Sequence, residues 1–190
     1  MLDKYKKGNS TYMPQDDTLM IIGKITHMDL EILRHWTKHL SEKQVAGTLL
    51  IDSIGGISSS EALIDLIKVP VHTHILRKAQ SFAALMALCG SFKTAEEDAN
   101  IMVHAARIPG LHEESEALHK HNFDIMSIIG SILPSGDAKD QIGHAISSSE
   151  RAFLDPIRLY EACVLDKVGK FKPNLKNKEV KEWIERVYHG

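Results

Sequence analysis

Short apolar runs, each followed by a segment of helical character, constrain the fold of this chain more than any other feature. Leu19-Met20-Ile21-Ile22 ends at Gly23, Leu49-Leu50-Ile51 runs into Gly55-Gly56, and Val71 to Leu76 follows Pro70. Runs of this length bounded by glycine or proline read as buried strands. After the first, Leu30, Leu33, Trp36 and Leu40 recur at helical spacing, and Thr26 with Asp29 forms a capping box in which Asp replaces the usual Glu. A helix is therefore expected over about 27–41. After the second run, serines 58–60 cap a helix through Ile67, which Pro70 bars from continuing. After the third, Gln80 to Gly90 is almost wholly apolar and reads as a buried helix with a glycine stop. Ile101 to His104 is a fourth short strand.

The alternation predicts an α/β fold with a mostly parallel sheet. In such sheets binding sites form beyond the carboxyl ends of the strands. Gly55-Gly56, Ser81 and His104 all sit there. Further on, Leu118, Phe123, Ile125, Met126, Ile128, Ile129 and Ile132 mark a long apolar helix over 113–132, stopped before Pro134. A helix is expected over 137–147. Another spans 156–163, with Asp155 as cap and Pro156 at its first position. A final strand, 164–168, and a short charged helix, 177–188, close the chain. Residues 1–18 are polar and read as a flexible segment, 19–168 as the domain, and 169–190 as a tail.

Charge and cysteine content exclude several classes. Net charge is −2 over 190 residues, with no basic footprint for nucleic acid. No stretch approaches the roughly 18 apolar residues of a membrane span, and the N-terminus has no apolar leader core. Cys89 and Cys163 lie in apolar surroundings and read as buried thiols of a reducing compartment. A cytoplasmic protein with no cofactor is expected. His72 and His74 share one side of a strand, and His112, His119 and His121 add nitrogens, but no cysteine or carboxylate spacing completes a metal site.

Acyl transfer needs a nucleophile, a base and oxyanion donors. Ser81, after a strand and before an apolar helix, suits the first role; the competing reading is that it merely caps the helix. His104 suits the second. Gly56 can bring a backbone N–H close to a ligand, or simply make a tight turn.

As an ordered set these segments resemble the ClpP serine peptidases. Ile51-Asp52-Ser53-Ile54-Gly55-Gly56 resembles their Ser-Pro-Gly-Gly loop, and Lys78-Ala79-Gln80-Ser81-Phe82-Ala83-Ala84 their nucleophile segment. Asn100 to His104 is similar to the segment that carries their histidine, and Phe153 to Val168 to their closing helix and strand. The resemblance implies the ClpP/crotonase-like layered fold, with helix 113–132 as a protruding handle between rings of subunits. It implies Ser81 as nucleophile, His104 as general base, and the N–H groups of Gly56 and Phe82 as oxyanion donors. It also implies a ring-forming homo-oligomer that cleaves peptides or unfolded protein inside a chamber, fed by an AAA+ unfoldase. No nucleic acid or membrane partner is expected.

The sequence departs from the family in places. Ile54 stands where proline is usual, and Arg151 where the family has its third catalytic residue, Asp. Glu150 is the adjacent candidate for that role. The paired glycines after the histidine are missing, and residues 1–18 do not resemble the family's axial gate, which leaves the unfoldase open. Two alternatives stand beside an active endopeptidase. One is a silent ClpP-like subunit with an assembly or regulatory role. The other is an acyl-handling enzyme of crotonase-like fold.

Overall fold

The capping box at Thr26 is formed. In a computed structural model describing residues 6–7, 10–13, 17–107, 115–148, 150–170 and 182, the Thr26 N–H donates to Asp29 Oδ2 at 2.7 Å, and the Asp29 N–H to Thr26 Oγ1 at 3.4 Å. The box starts α1 (His27–Lys43), which follows β3 (Thr18–Ile25) and leads to β4 (Gly47–Gly56). Next come α2 (Ser60–Ile67), β5 (Val71–Gln80) and α3 (Phe82–Leu88). β3, β4 and β5 pair in parallel, as the alternation predicts. Leu19, Met20 and Ile21 of β3 and Leu49, Leu50 and Ile51 of β4 are all buried; Leu19, Ile21, Leu49 and Ile51 pack in one core with Leu33 and Trp36 of α1, Leu63 of α2 and the apolar residues of α3.

Beyond β5 the sheet divides. The first half of β5 pairs in parallel with β6 (Phe92–Ala95), and its last residues, Lys78–Gln80, pair in parallel with β7 (Asn100–Val103). β9 (Lys167–Val168) extends β6, while β8 (Ala152–Leu154) adds antiparallel to β7. The remaining helices are α4 (Glu116–Ile132), α5 (Asp137–Ser147) and α6 (Pro156–Glu161). The architecture is α/β with a mostly parallel sheet. None of the helices among the described residues is long and apolar enough to cross a membrane.

Several elements depart from expectation. The N-terminal stretch, read as lacking regular structure, holds β1 (Lys6–Lys7) and β2 (Ser10–Met13); β2 pairs antiparallel with β3. β3 offers a free edge there, and an edge row of N–H and C=O groups is a template for any nearby extended chain. β6 (Phe-Lys-Thr-Ala) is of mixed polarity and β8 is only three residues long, so their pairing comes from neighbouring strands and not from local pattern. Cys163, expected buried, is exposed just past α6, while Cys89 is buried and its thiol is pushed up to about 12 by burial. α4 lays Ile125 and Ile129 into its own domain, leaving Phe123 57 % exposed. The expected tail helix 177–188 lies outside the described residues, apart from Glu182, and so do the first residues of helix 113–132.

The core closes tightly around α1. Trp36 is 1 % exposed. Its indole donates to the Asp17 carbonyl at 3.2 Å. A Cβ on Gly47 would stand 2.6 Å from Trp36 Cζ2, so glycine is what lets β4 start beneath the indole.

His72 and His74 converge on one hydroxyl: Thr94 Oγ1 lies 2.9 Å from His72 Nε2 and 2.7 Å from His74 Nδ1. Burial, and secondarily the neighbouring His74, lowers the His72 pKa from 6.5 to about 4. The folded state thus binds its proton less readily than the unfolded chain. The stabilisation is fully present above about pH 6.5 and is lost as pH falls through about 4. Melting temperature should therefore fall between pH 7 and pH 4, and His72→Gln should flatten part of that fall. An unchanged slope would remove His72 as a source.

Candidate active site

The chain reaches Ser81 straight from a strand. β5 runs to Gln80, and Ser81 turns the chain into α3 with φ 55° and ψ −129°. Positive φ in a residue with a Cβ is strained, typically by about 1–3 kcal/mol, and persists only where the surroundings enforce it. Two contacts do so. The Ser81 N–H donates to the Met102 carbonyl of β7 at 2.7 Å. Gly55 packs under the turn; a Cβ there would lie 2.5 Å from the Gln80 oxygen and 2.7 Å from Ser81 Cβ. The Ser81 side chain makes no capping bond to α3, and its backbone lies outside the extended region that N-caps adopt. The cap reading of Ser81 therefore does not describe this turn.

The same pairing places His104. Gln80 is level with Met102 across β5 and β7, so Ser81 and His104 emerge at the same end of adjacent strands. Neighbouring strands lie only about 4.8 Å apart. Ser81, His104, Gly56 and Phe82 line one cavity of ≈ 100 Å³, together with Ser58, Leu85, Ala106, Arg107, Asn122, Ile125 and Ile146. Gly56 reaches it because β4 passes close beside β3; a Cβ on Gly56 would meet Ile25 N at 2.8 Å. The Ser53 hydroxyl braces that loop, donating to Gly23 O at 2.6 Å and accepting from Gly55 N–H at 3.1 Å. Phe82 is the first residue of α3, and its N–H is one of those that a helix leaves without an intrahelical partner.

His104 Nδ1 lies 2.5 Å from the Ala105 carbonyl. A carbonyl can only accept, so Nδ1 carries the hydrogen, and in the neutral ring Nε2 is the basic nitrogen. No direct hydrogen bond joins Ser81 to His104 here; both border the same cavity. Contacts of this kind commonly tighten on substrate binding.

Glu150 is not brought to this group. Its Oε2 lies 3.3 Å from His144 Nε2, and its side chain is 74 % exposed. The orienting contact on His104 is a backbone carbonyl, which no sequence pattern marks. Glu150→Ala should therefore leave turnover within about twofold, the usual range for a surface substitution. A fall of the size seen on altering a triad acid, about 10⁴-fold, would restore Glu150 to the site. Leu85, Ile125 and Ile146 wall the cavity from three helices that meet only in the fold, so the sequence marks Ile125 as part of an apolar helix but not as part of this cavity.

No protein-family model matches the chain, and no curated protein matches it. Among solved structures, a peptidase from Plasmodium falciparum is similar, with a TM-score of 0.62 at 13 % identity, covering 82 % of this chain and 96 % of that one. The likeness establishes a shared fold.

Proposed function

We propose that the protein is a ClpP-like serine endopeptidase, with Ser81 as nucleophile and His104 as general base. The observation that carries this reading is the strained turn at Ser81. Its hydroxyl is not spent on capping, and it shares one small cavity with His104 and with the backbone of Gly56 and Phe82. A structural serine has no need of such a conformation.

In the proposed reaction Ser81 Oγ attacks a peptide carbonyl carbon while its proton passes to His104 Nε2. The carbonyl oxygen becomes an oxyanion, held by the N–H groups of Gly56 and Phe82. Collapse expels the amine, which leaves with the proton from His104. A water then attacks the acyl-enzyme carbonyl with His104 taking its proton, and collapse breaks the bond to Ser81 Oγ, which receives that proton back from His104 as the carboxylic acid product leaves. The Ala105 carbonyl stabilises the imidazolium through its hydrogen bond to Nδ1, a weaker counterpart of a triad carboxylate.

The substrate class proposed is peptides or unfolded protein, handled in the cytoplasm by a ring-forming homo-oligomer. Ile54, Phe123 and Phe153 are 49 %, 57 % and 62 % exposed, which supports a covered surface between subunits. A feeding unfoldase belongs to the same proposal. The placement of Glu150 beside His144 favours one rival, a silent subunit of the same fold.

Treatment with a serine-directed fluorophosphonate separates the two. The proposal expects one adduct, mapped to Ser81 by peptide mass spectrometry, together with cleavage of an unstructured peptide. Assembled protein that neither labels nor cleaves would establish the silent subunit.

A further inference from the structure

Consecutive residues of α4 grip opposite walls of the Ser81 cavity. His121 Nε2 lies 2.8 Å from Ser58 Oγ, and Ser58 lines the cavity two residues past Gly56. Asn122 is 5 % exposed. It accepts the Ala106 N–H on Oδ1 at 2.8 Å and donates from Nδ2 to the Ala106 carbonyl at 3.3 Å. Ala106 lies two residues past His104. The two gripped segments leave β4 and β7, which flank β5 on opposite sides. The oxyanion donor and the base thus stand on strands that do not pair with one another. Successive residues of a helix point about 100° apart, so one turn of α4 can reach both. Ile125, one turn on from these two residues, lines the same cavity.

We propose that His121 and Asn122 are positioning residues, and that α4 sets the separation between the Gly56 loop and His104 across Ser81. His121 acts through Ser58 on the oxyanion side, and Asn122 through Ala106 on the base side. The catalytic consequence rests on the reading of Ser81 as nucleophile, whereas the mechanical grip does not.

The test measures amide hydrogen exchange and fluorophosphonate labelling on the full chain for His121→Ala, Ser58→Ala, the double variant, and Asn122→Ala. His121→Ala and Ser58→Ala should each raise exchange in residues 55–60 and leave 104–107 unchanged, with Asn122→Ala giving the reverse. Each should lower the labelling rate constant by up to about 10²-fold, the cost of a displacement near 1 Å, and should lower kcat more than it raises KM. The double variant should match either single one, because both remove the same bond, and His121→Gln should recover most of the rate. Ser58→Ala removes the contact from a loop residue, so it carries the test if a helix variant fails to fold. Wild-type protein that does not label would defeat the proposed peptidase but leave the exchange pattern to decide the grip. Exchange at wild-type rates in both segments, or additive losses from Ser58→Ala and His121→Ala, would overturn it.

Discussion

Ser81→Ala should abolish fluorophosphonate labelling and lower peptide cleavage by about 10³-fold or more, and His104→Ala should cost nearly as much. The two losses should be similar in size and should not add. The hydroxyl is a poor nucleophile unless its proton leaves as the bond forms, and the imidazole has no other use in the step. Each variant leaves the oxyanion donors in place, so a residual rate above that of water is expected. Folding should be undisturbed in both, because neither side chain belongs to the buried core. Ser81→Gly is a useful companion. Glycine adopts φ 55° without strain, so this variant should lose all labelling while unfolding at a urea concentration no lower than wild type. A serine that merely shaped the turn would allow Ser81→Ala to keep its activity.

Gly55→Ala should have a large structural effect. The residue has φ +80°, and the added methyl would stand 2.5 Å from the Gln80 carbonyl oxygen, 2.7 Å from Ser81 Cβ and 3.2 Å from Phe82 N. The first and last of these are backbone atoms, which cannot move aside as a flexible side chain would. Left-handed strain of about 1–2 kcal/mol adds to an overpacking cost of about 1–3 kcal/mol, so a loss of about 2–5 kcal/mol in urea unfolding is expected. The displaced atoms are those of the turn itself. Labelling of the folded fraction should therefore fall by about 10²-fold, as for a misplacement near 1 Å. A stable Gly55→Ala protein that labels at the wild-type rate would show that β4 does not support the nucleophile.

The parts of the candidate site that were legible in the sequence are those held by strand ends. Gly55-Gly56, Ser81 and His104 each follow an apolar run, and the parallel order of the runs brings their ends together. The pairing of Gln80 with Met102 turns that expectation into geometry. What escaped sequence reading depends on tertiary contacts. β6 and β8 have no periodicity of their own, and β2 exists because β3 has an edge to offer. Glu150, chosen for its place beside Arg151, faces His144 instead. The contact on His104 Nδ1 is the carbonyl of the next residue, a group every residue carries. Likewise, the hydrophobic pattern of α4 marked a helix, but nothing in it showed that His121 and Asn122 would reach two different strands' ends.

A crystal structure of the protein after reaction with a fluorophosphonate tests the central claim most directly. The account predicts phosphorus bonded to Ser81 Oγ, with one phosphoryl oxygen about 2.7–3.1 Å from both the Gly56 and the Phe82 N–H groups. His104 should keep Nδ1 on the Ala105 carbonyl and turn Nε2 toward the adduct. Phosphorus on another residue, or on Ser81 with its oxygen pointing to solvent and His104 turned away, would contradict it.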